Sequence, residues 1–323
     1  VEYIYLVFLI IIVFILALLY QRLIASRQKL VIKILPVIFL LATPLWLAIN
    51  PAKNEPGILN PVSEFIDNSI NQIDASSQME KIVLNELENT EGTYAVAIKN
   101  LETNEYYFLN ENREFDSASL YKLWVMAATY KEIENGNLSL DQNIGFDAST
   151  INERLNIASE SAEITGGFVG NTVEGAISRM ITVSDNYSAH ILYLTIGWNK
   201  VEEFLSEYNL NDSSTDSVTT TTNDILKYYE LLYKGEIVSE SASNEMLEIL
   251  KRQELNDRIP KYLPENTTIA HKTGELGAVK HDAGIVYSPN GDYIIVLMSE
   301  TADQTTATEI EAGISEKVWE YFN

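Results

Sequence analysis

"TTIAHKTGELGAVKHDAGIVYSPNGDYIIVLMSE", residues Thr267 to Glu300, contains three strand-like runs: "TTIAHKTGEL", "AGIVYSP" and "DYIIVLMSE". Each is rich in β-branched and aromatic residues and is bounded by turn formers. The turn signal "PNGD", Pro289 to Asp292, joins the last two as a hairpin. Two more alternating segments lie far upstream, "TYAVAIKN" and "EYYFLN", separated by "LETN"; they predict a second hairpin. Between the two groups the chain reads as helical, with segments at 118–135, 172–183, 185–196, 198–208, 222–234 and 239–254 carrying apolar residues at three- and four-residue spacing. One helix precedes the first hairpin (77–89) and one follows the last strand (about 306–322). Strands at both ends predict one antiparallel sheet, with the terminal helices on one face and an inserted helical lobe beside it. The fold class is α+β.

The composition narrows the function. The 323 residues carry a net charge of −24 and contain no cysteine, which excludes disulfides, thiolate zinc sites and cysteine nucleophiles. Residues 1–50 hold Arg22, Arg27, Lys29 and Lys33 against Glu2, so the remainder has 18 basic and 45 acidic side chains. A body this acidic repels phosphate backbones and argues against nucleic-acid binding. The three histidines, His190, His271 and His281, show no metal-ligand spacing, and no phosphate-cradling glycine loop is present. No metal and no cofactor is expected.

Tyr3 to Tyr20 is an unbroken apolar and aromatic run, and Ile34 to Ile49 is a second, shorter one that Lys33 can extend by snorkelling. All four early basic residues lie between them. Two transmembrane helices with a basic cytoplasmic loop are expected over 1–50, which puts the rest of the chain outside the cytoplasmic membrane. Residues 51–76, with Pro51, Pro56 and Pro61, read as a linker. The domain is expected over 77–323.

Three short polar motifs fall at junctions of this scheme. Ser119-Leu120-Tyr121-Lys122 opens the 118–135 helix, where residues three apart share a face and a serine hydroxyl meets an amine. A helix N-terminus, with its free N–H groups and positive dipole end, suits a nucleophilic serine and lowers a lysine pKa. Ser184-Asp185-Asn186 sits between two helices; read alone it is either an N-cap or a proton relay. Lys272-Thr273-Gly274 lies within a strand, where charge and hydroxyl suit a carboxylate and glycine suits close approach to the backbone. The string "SRQK", Ser26 to Lys29, repeats the serine–lysine spacing without companion motifs. All three motifs in this order make a specific signal.

The constellation resembles the penicillin-recognising serine hydrolases, and class A β-lactamases most closely, over about residues 77–323. The resemblance extends to "TVEGAISRMITVSDNYSAHILYLTIG", "TTTTNDILKYYELLYKG" and "HKTGELGAVKHDAGIVYSP". It implies a five-stranded antiparallel sheet flanked by helices, with an all-helical lobe and the active site between them. It makes Ser119 the acylated nucleophile and Lys122 its activating partner, with Ser184 and Asn186 on the opposite wall. Lys272, Thr273 and Gly274 would receive the substrate carboxylate. The backbone N–H groups of Ser119 and Glu275 would form the oxyanion hole. Members of the family deacylate with a glutamate in the pattern E-x-x-L-N, which occurs here as Glu207 to Asn211. Yet Val201, Phe204, Leu205 and Tyr208 form an apolar stripe that puts Glu207 on the polar face of a helix, and Asp212 and Asp216 are alternatives. The expected substrate is a β-lactam. A D-Ala-D-Ala-type cell-wall peptide is the alternative, and a penicillin sensor without turnover is the reading from another class.

Overall fold

The computed structural model describes residues 78–323; the two apolar runs and the proline-bearing linker lie outside them. Among the described residues no helix is long and apolar enough to cross a membrane.

A helix over residues 78–86 (α1) leads into β1 (Thr93–Asn100) and β2 (Tyr106–Leu109). The lobe follows. It holds the short strand β3 (Phe115–Asp116), a 3₁₀ turn (Ala118–Leu120), and α2 (Tyr121–Glu134). Next come β4 (Asn143–Asp147), α3 (Ala148–Arg154), β5 (Phe168–Thr172), α4 (Val173–Thr182), α5 (Asn186–Ile196) and α6 (Trp198–Glu207). The short β6 (Thr219–Thr220), α7 (Thr222–Tyr233) and α8 (Glu240–Leu250) complete it. The chain then returns through β7 (Thr268–Leu276), β8 (Val279–Tyr287) and β9 (Tyr293–Glu300) to α9 (Gln304–Phe322).

The five long strands form one antiparallel sheet in the order β2-β1-β9-β8-β7, so both hairpins expected from the sequence share it. The sheet is buried on both faces, and strand alternation sorts its side chains. Tyr94, Val96 and Ile98 of β1 and Ile295 and Leu297 of β9 pack with Met79 and Val83 of α1 and Ile310, Ile314 and Val318 of α9. The opposite positions are smaller: Ala95, Ala97 and Ala283 sit with Val296 and Met298 in the cluster that holds Trp124 and Met126 of α2. Small residues on that face let the lobe approach the sheet closely. Ten of the fourteen residues of α2 are buried, which makes it the axis of the lobe. That axis begins at the serine–lysine motif.

Two minor strand pairs escaped the periodicity. β4 pairs with β5, and β3 pairs with β6, the latter through Phe115↔Thr220 and Asp116↔Thr219. β3 and β6, of two residues each, carry no alternation to detect. The β3–β6 pair matters for the site, because it ties the segment before Ser119 to the 208–221 connection. The Ser117 N–H also donates to Val218 O at 2.8 Å.

Candidate active site

Ser119 lies in the 3₁₀ turn, half-buried, and α-helical bonding begins two residues later at Tyr121. The preceding residue, Ala118, is held at φ +44°, a left-handed conformation that costs a non-glycine residue free energy. Several contacts hold it there. Asp116 Oδ1 accepts from the Ala118 N–H at 2.8 Å, and His281 on β8 bonds Asp116 O at 2.8 Å. His281 Nδ1 accepts from the Ser299 N–H at 3.3 Å, so Nε2 is the protonated nitrogen and donates to Asp116 O. Burial lowers the His281 pKa to about 4, which keeps the ring neutral in this role. Phe115 meets the same ring edge-on at 5.8 Å.

The glycine of the third motif proves to serve this turn. A Cβ on Gly274 would stand 3.2 Å from Ser117 O and 3.3 Å from His281. The close approach anticipated from the sequence is made by the chain's own backbone at Ser117. Gly274 pairs with His281 across β7 and β8, and the neighbouring Glu275 is thereby carried beside the Ser119 turn.

Lys122 follows one turn into the lobe and is fully buried. Its Nζ donates to Ser184 O at 2.6 Å, Asn186 Oδ1 at 2.7 Å and Ser184 Oγ at 3.1 Å. Those three acceptors use every hydrogen of an ammonium group. Loss of one proton opens a lone pair, and the amine then becomes a base. Burial pulls its pKa down to about 8 against the opposing pull of Asp185 and Glu163, so neutral amine is accessible near neutral pH.

The Ser184-Asp185-Asn186 motif reconciles the two readings open at the sequence level. Asp185 is the N-cap of α5, accepting from the Ser188 N–H at 2.6 Å. Ser184, at φ +57°, and Asn186 are turned to Lys122 on either side of it. The cap positions the site residues.

Lys272 is fully buried, and its Nζ donates to Ser184 Oγ at 3.0 Å and Thr273 O at 2.8 Å. Burial and the nearby Lys122 and Arg258 hold its pKa well below the ordinary lysine value, with Asp282 opposing them. The Ser184 hydroxyl oxygen therefore accepts from two amines. Both its lone pairs are engaged and its own hydrogen is left to point elsewhere, which is the geometry of a proton donor. Thr273 is buried, while Glu275 is exposed and bonds Lys280 Nζ at 2.6 Å and an Arg258 guanidinium nitrogen at 2.8 Å.

Glu207 is not brought to the site. It ends α6 and is ion-paired with Lys131, about two and a half turns along α2 from Lys122. Of the alternatives, Asp212 donates its backbone N–H to Asp224 Oδ2, and Asp216 lines a surface hollow with Glu202 and Leu205. A different carboxylate is found instead. Glu163, in the connection between α3 and β5, accepts from Asn186 Nδ2 at 2.6 Å. Nothing in its sequence surroundings marked it. His281 carried a faint signal, since it falls opposite Gly274 once the β7–β8 register is drawn.

A half-buried serine followed one turn later by a buried lysine, that lysine bonded to a second serine with a lysine-bearing strand behind it, on a sheet flanked by helices, defines a penicillin-recognising serine hydrolase. The chain belongs to the Beta-lactamase2 family, described as the beta-lactamase enzyme family, which it matches over residues 75–322. It is 25% identical over 254 residues to beta-lactamase VEB-1 of Pseudomonas aeruginosa, covering 70% of this chain and 84% of that one. Its fold is similar to a beta-lactamase from Sphaerobacter thermophilus, with a TM-score of 0.67, 22% identity and coverage of 76% of this chain and 97% of that one. A protein called PBP-A has a TM-score of 0.66 and 22% identity, with coverage of 77% and 96%.

Proposed function

We propose that this serine hydrolase opens β-lactam rings through an acyl-enzyme on Ser119 and then hydrolyses it. The observation that carries the reading is the doubly accepting hydroxyl of Ser184 between the Lys122 and Lys272 amines. Neutral Lys122 takes the Ser119 proton as Oγ attacks the lactam carbonyl. The backbone N–H groups of Ser119 and Glu275 receive the oxyanion. As the C–N bond breaks, Ser184 gives its proton to the nitrogen and is reprotonated by the Lys122 ammonium. Water then displaces the serine and frees the opened acid. The two apolar runs with four basic residues between them support a membrane anchor that leaves this domain outside the cytoplasm.

A second reading, acyl transfer on D-Ala-D-Ala-type peptides, is favoured by one observation. Glu207, the glutamate of the family's pattern, is ion-paired with Lys131 and not with a residue of the site. A site without a deacylating carboxylate holds its acyl group longer. The likeness to PBP-A, one form of which is described as an acyl-enzyme complex with penicillin G, is compatible with this.

The test exposes the full chain to a fluorescent penicillin and a chromogenic cephalosporin. Label that turns over, with rapid colour, is the expected result. A lasting label on Ser119 with little colour selects the peptidase reading, and no label at high drug concentration overturns both. Glu207→Gln is expected to leave the rate of colour formation within about twofold of wild type, because its partner is a surface lysine. A loss of turnover with normal labelling would return Glu207 to the mechanism.

A further inference from the structure

We propose that Glu163 is a positioning residue, which fixes the amide of Asn186 so that the Lys122 lone pair stays free for Ser119. The inference rests on the acyl-serine reading of this site. Its geometry is a chain of two hydrogen bonds: Glu163 Oε1 to Asn186 Nδ2 at 2.6 Å, and Asn186 Oδ1 to Lys122 Nζ at 2.7 Å.

The glutamate is exposed, but the backbone beside it is pinned. The Ile164 N–H donates to the Tyr187 hydroxyl at 3.1 Å, that hydroxyl lies 2.8 Å from Ile164 O and 2.7 Å from Asn152 Oδ1, and Asn152 Nδ2 donates to Ile164 O at 2.8 Å. Tyr187 is buried and adjoins Asn186 in sequence. The loop is thus fastened to α5 at the residue it has to serve.

The amide needs such a clamp for a chemical reason. While Lys122 is an ammonium, only the amide oxygen can face it. Once Lys122 is neutral, a flipped amide can donate an N–H to its lone pair and quench the base at the moment it is wanted. Glu163 opposes the flip by accepting from Nδ2 and repelling Oδ1. It does so in every protonation state of Lys122.

The same carboxylate has an electrostatic effect of known sign. The charged and titratable groups around Lys122 are Asp185 at the cap of α5, Glu163 on its loop, His190 further along α5, and Lys272 on β7. Asp185 and Glu163 raise the Lys122 pKa against its burial. His190 is lowered to about 4 by burial and by Lys122, and stays neutral at working pH. Removing the Glu163 charge therefore lowers the pKa of the base. Glutamine at 163 keeps an acceptor for Asn186 Nδ2 and loses the charge, and alanine loses both.

The experiment is the pH dependence of the labelling rate of the full chain with a fluorescent penicillin, which reports groups of the free enzyme. Wild type should rise through a midpoint near 8, the value burial sets for Lys122. Glu163→Gln should keep its plateau within about threefold and move the midpoint down by about half a unit or more. Glu163→Ala should lose about tenfold at the plateau as the amide flips. A Gln variant whose midpoint stays or rises overturns the proposal, as does an Ala variant with a full plateau. Equal losses in both variants with unmoved midpoints also overturn it, since a merely structural role behaves that way. Wild type that takes no label at any pH rejects the acyl-serine reading and is thereby distinguished from a failure of Glu163.

Discussion

Lys122→Met is expected to slow acylation of Ser119 by about three orders of magnitude while leaving the protein at least as stable at pH 7. The two halves have one cause. The amine is fully buried and held by three acceptors, Ser184 O, Ser184 Oγ and Asn186 Oδ1. Burial lowers its pKa from 10.5 to about 8. A lysine whose folded pKa lies below its unfolded value penalises the folded state wherever both forms are protonated. That penalty is fully present below pH 8 and is relieved as pH rises from 8 to 10.5. By linkage it amounts to about 3 kcal/mol at pH 7. Methionine fills the same space without a charge and removes it, offset in part by the acceptors left behind. Thermal melts with labelling kinetics at pH 7 check both halves. A melting temperature lower by more than about 5 °C, or labelling within tenfold of wild type, would refute the account. The wild-type melting temperature should itself climb between pH 8 and 10 for the same reason, and the methionine variant should lack that contribution.

Much of this site could be read from the sequence because its chemistry sits at the junctions of strongly periodic elements. The helices expected at 172–183, 185–196, 198–208 and 222–234 are found within a residue or so of those limits, each carrying its apolar face into the core. Ser119, Lys122, Ser184 and Asn186 stand at or beside element ends, where turn and cap residues already draw attention, while Lys272 lies mid-strand in β7 and is marked by its Lys-Thr-Gly motif alone. What periodicity misses is contact between segments far apart in the chain. Glu163 lies in a connection without pattern and reaches Asn186 only because Tyr187 and Asn152 hold its neighbour. His281 looks like any strand residue until the register sets it opposite Gly274. Gly274 illustrates the converse. Its need for space was legible, but whether ligand or protein fills that space required the 3₁₀ turn before α2. Glu207 lies in a matching string, and the apolar stripe of its own helix sets it beside Lys131.

Lys272→Met is expected to cut the labelling efficiency of a penicillin with a free carboxylate by about two orders of magnitude, and that of its methyl ester by less than about tenfold. Motif reasoning assigns Lys272 to the substrate carboxylate, yet its side chain is fully buried, with Nζ on Ser184 Oγ and Thr273 O. The ammonium acts on the anion through the Ser184 hydroxyl and through its field, which burial leaves poorly screened. Losing a buried charge that faces an anionic partner costs about 3 kcal/mol, or roughly a hundredfold. The ester has no anion to hold, so only the loss of one donor to Ser184 remains. Lys272 also carries a pKa held well below the usual value by burial and by Lys122 and Arg258. An incoming carboxylate favours its charged form, so binding should draw a proton from the buffer. Calorimetry of the Ser119→Ala variant, titrated with the same penicillin in buffers of different ionisation enthalpy, measures that uptake. It should vanish when Lys272→Met is added. Equal losses for acid and ester would mean that Lys272 serves Ser184 alone and that the substrate carboxylate is held elsewhere.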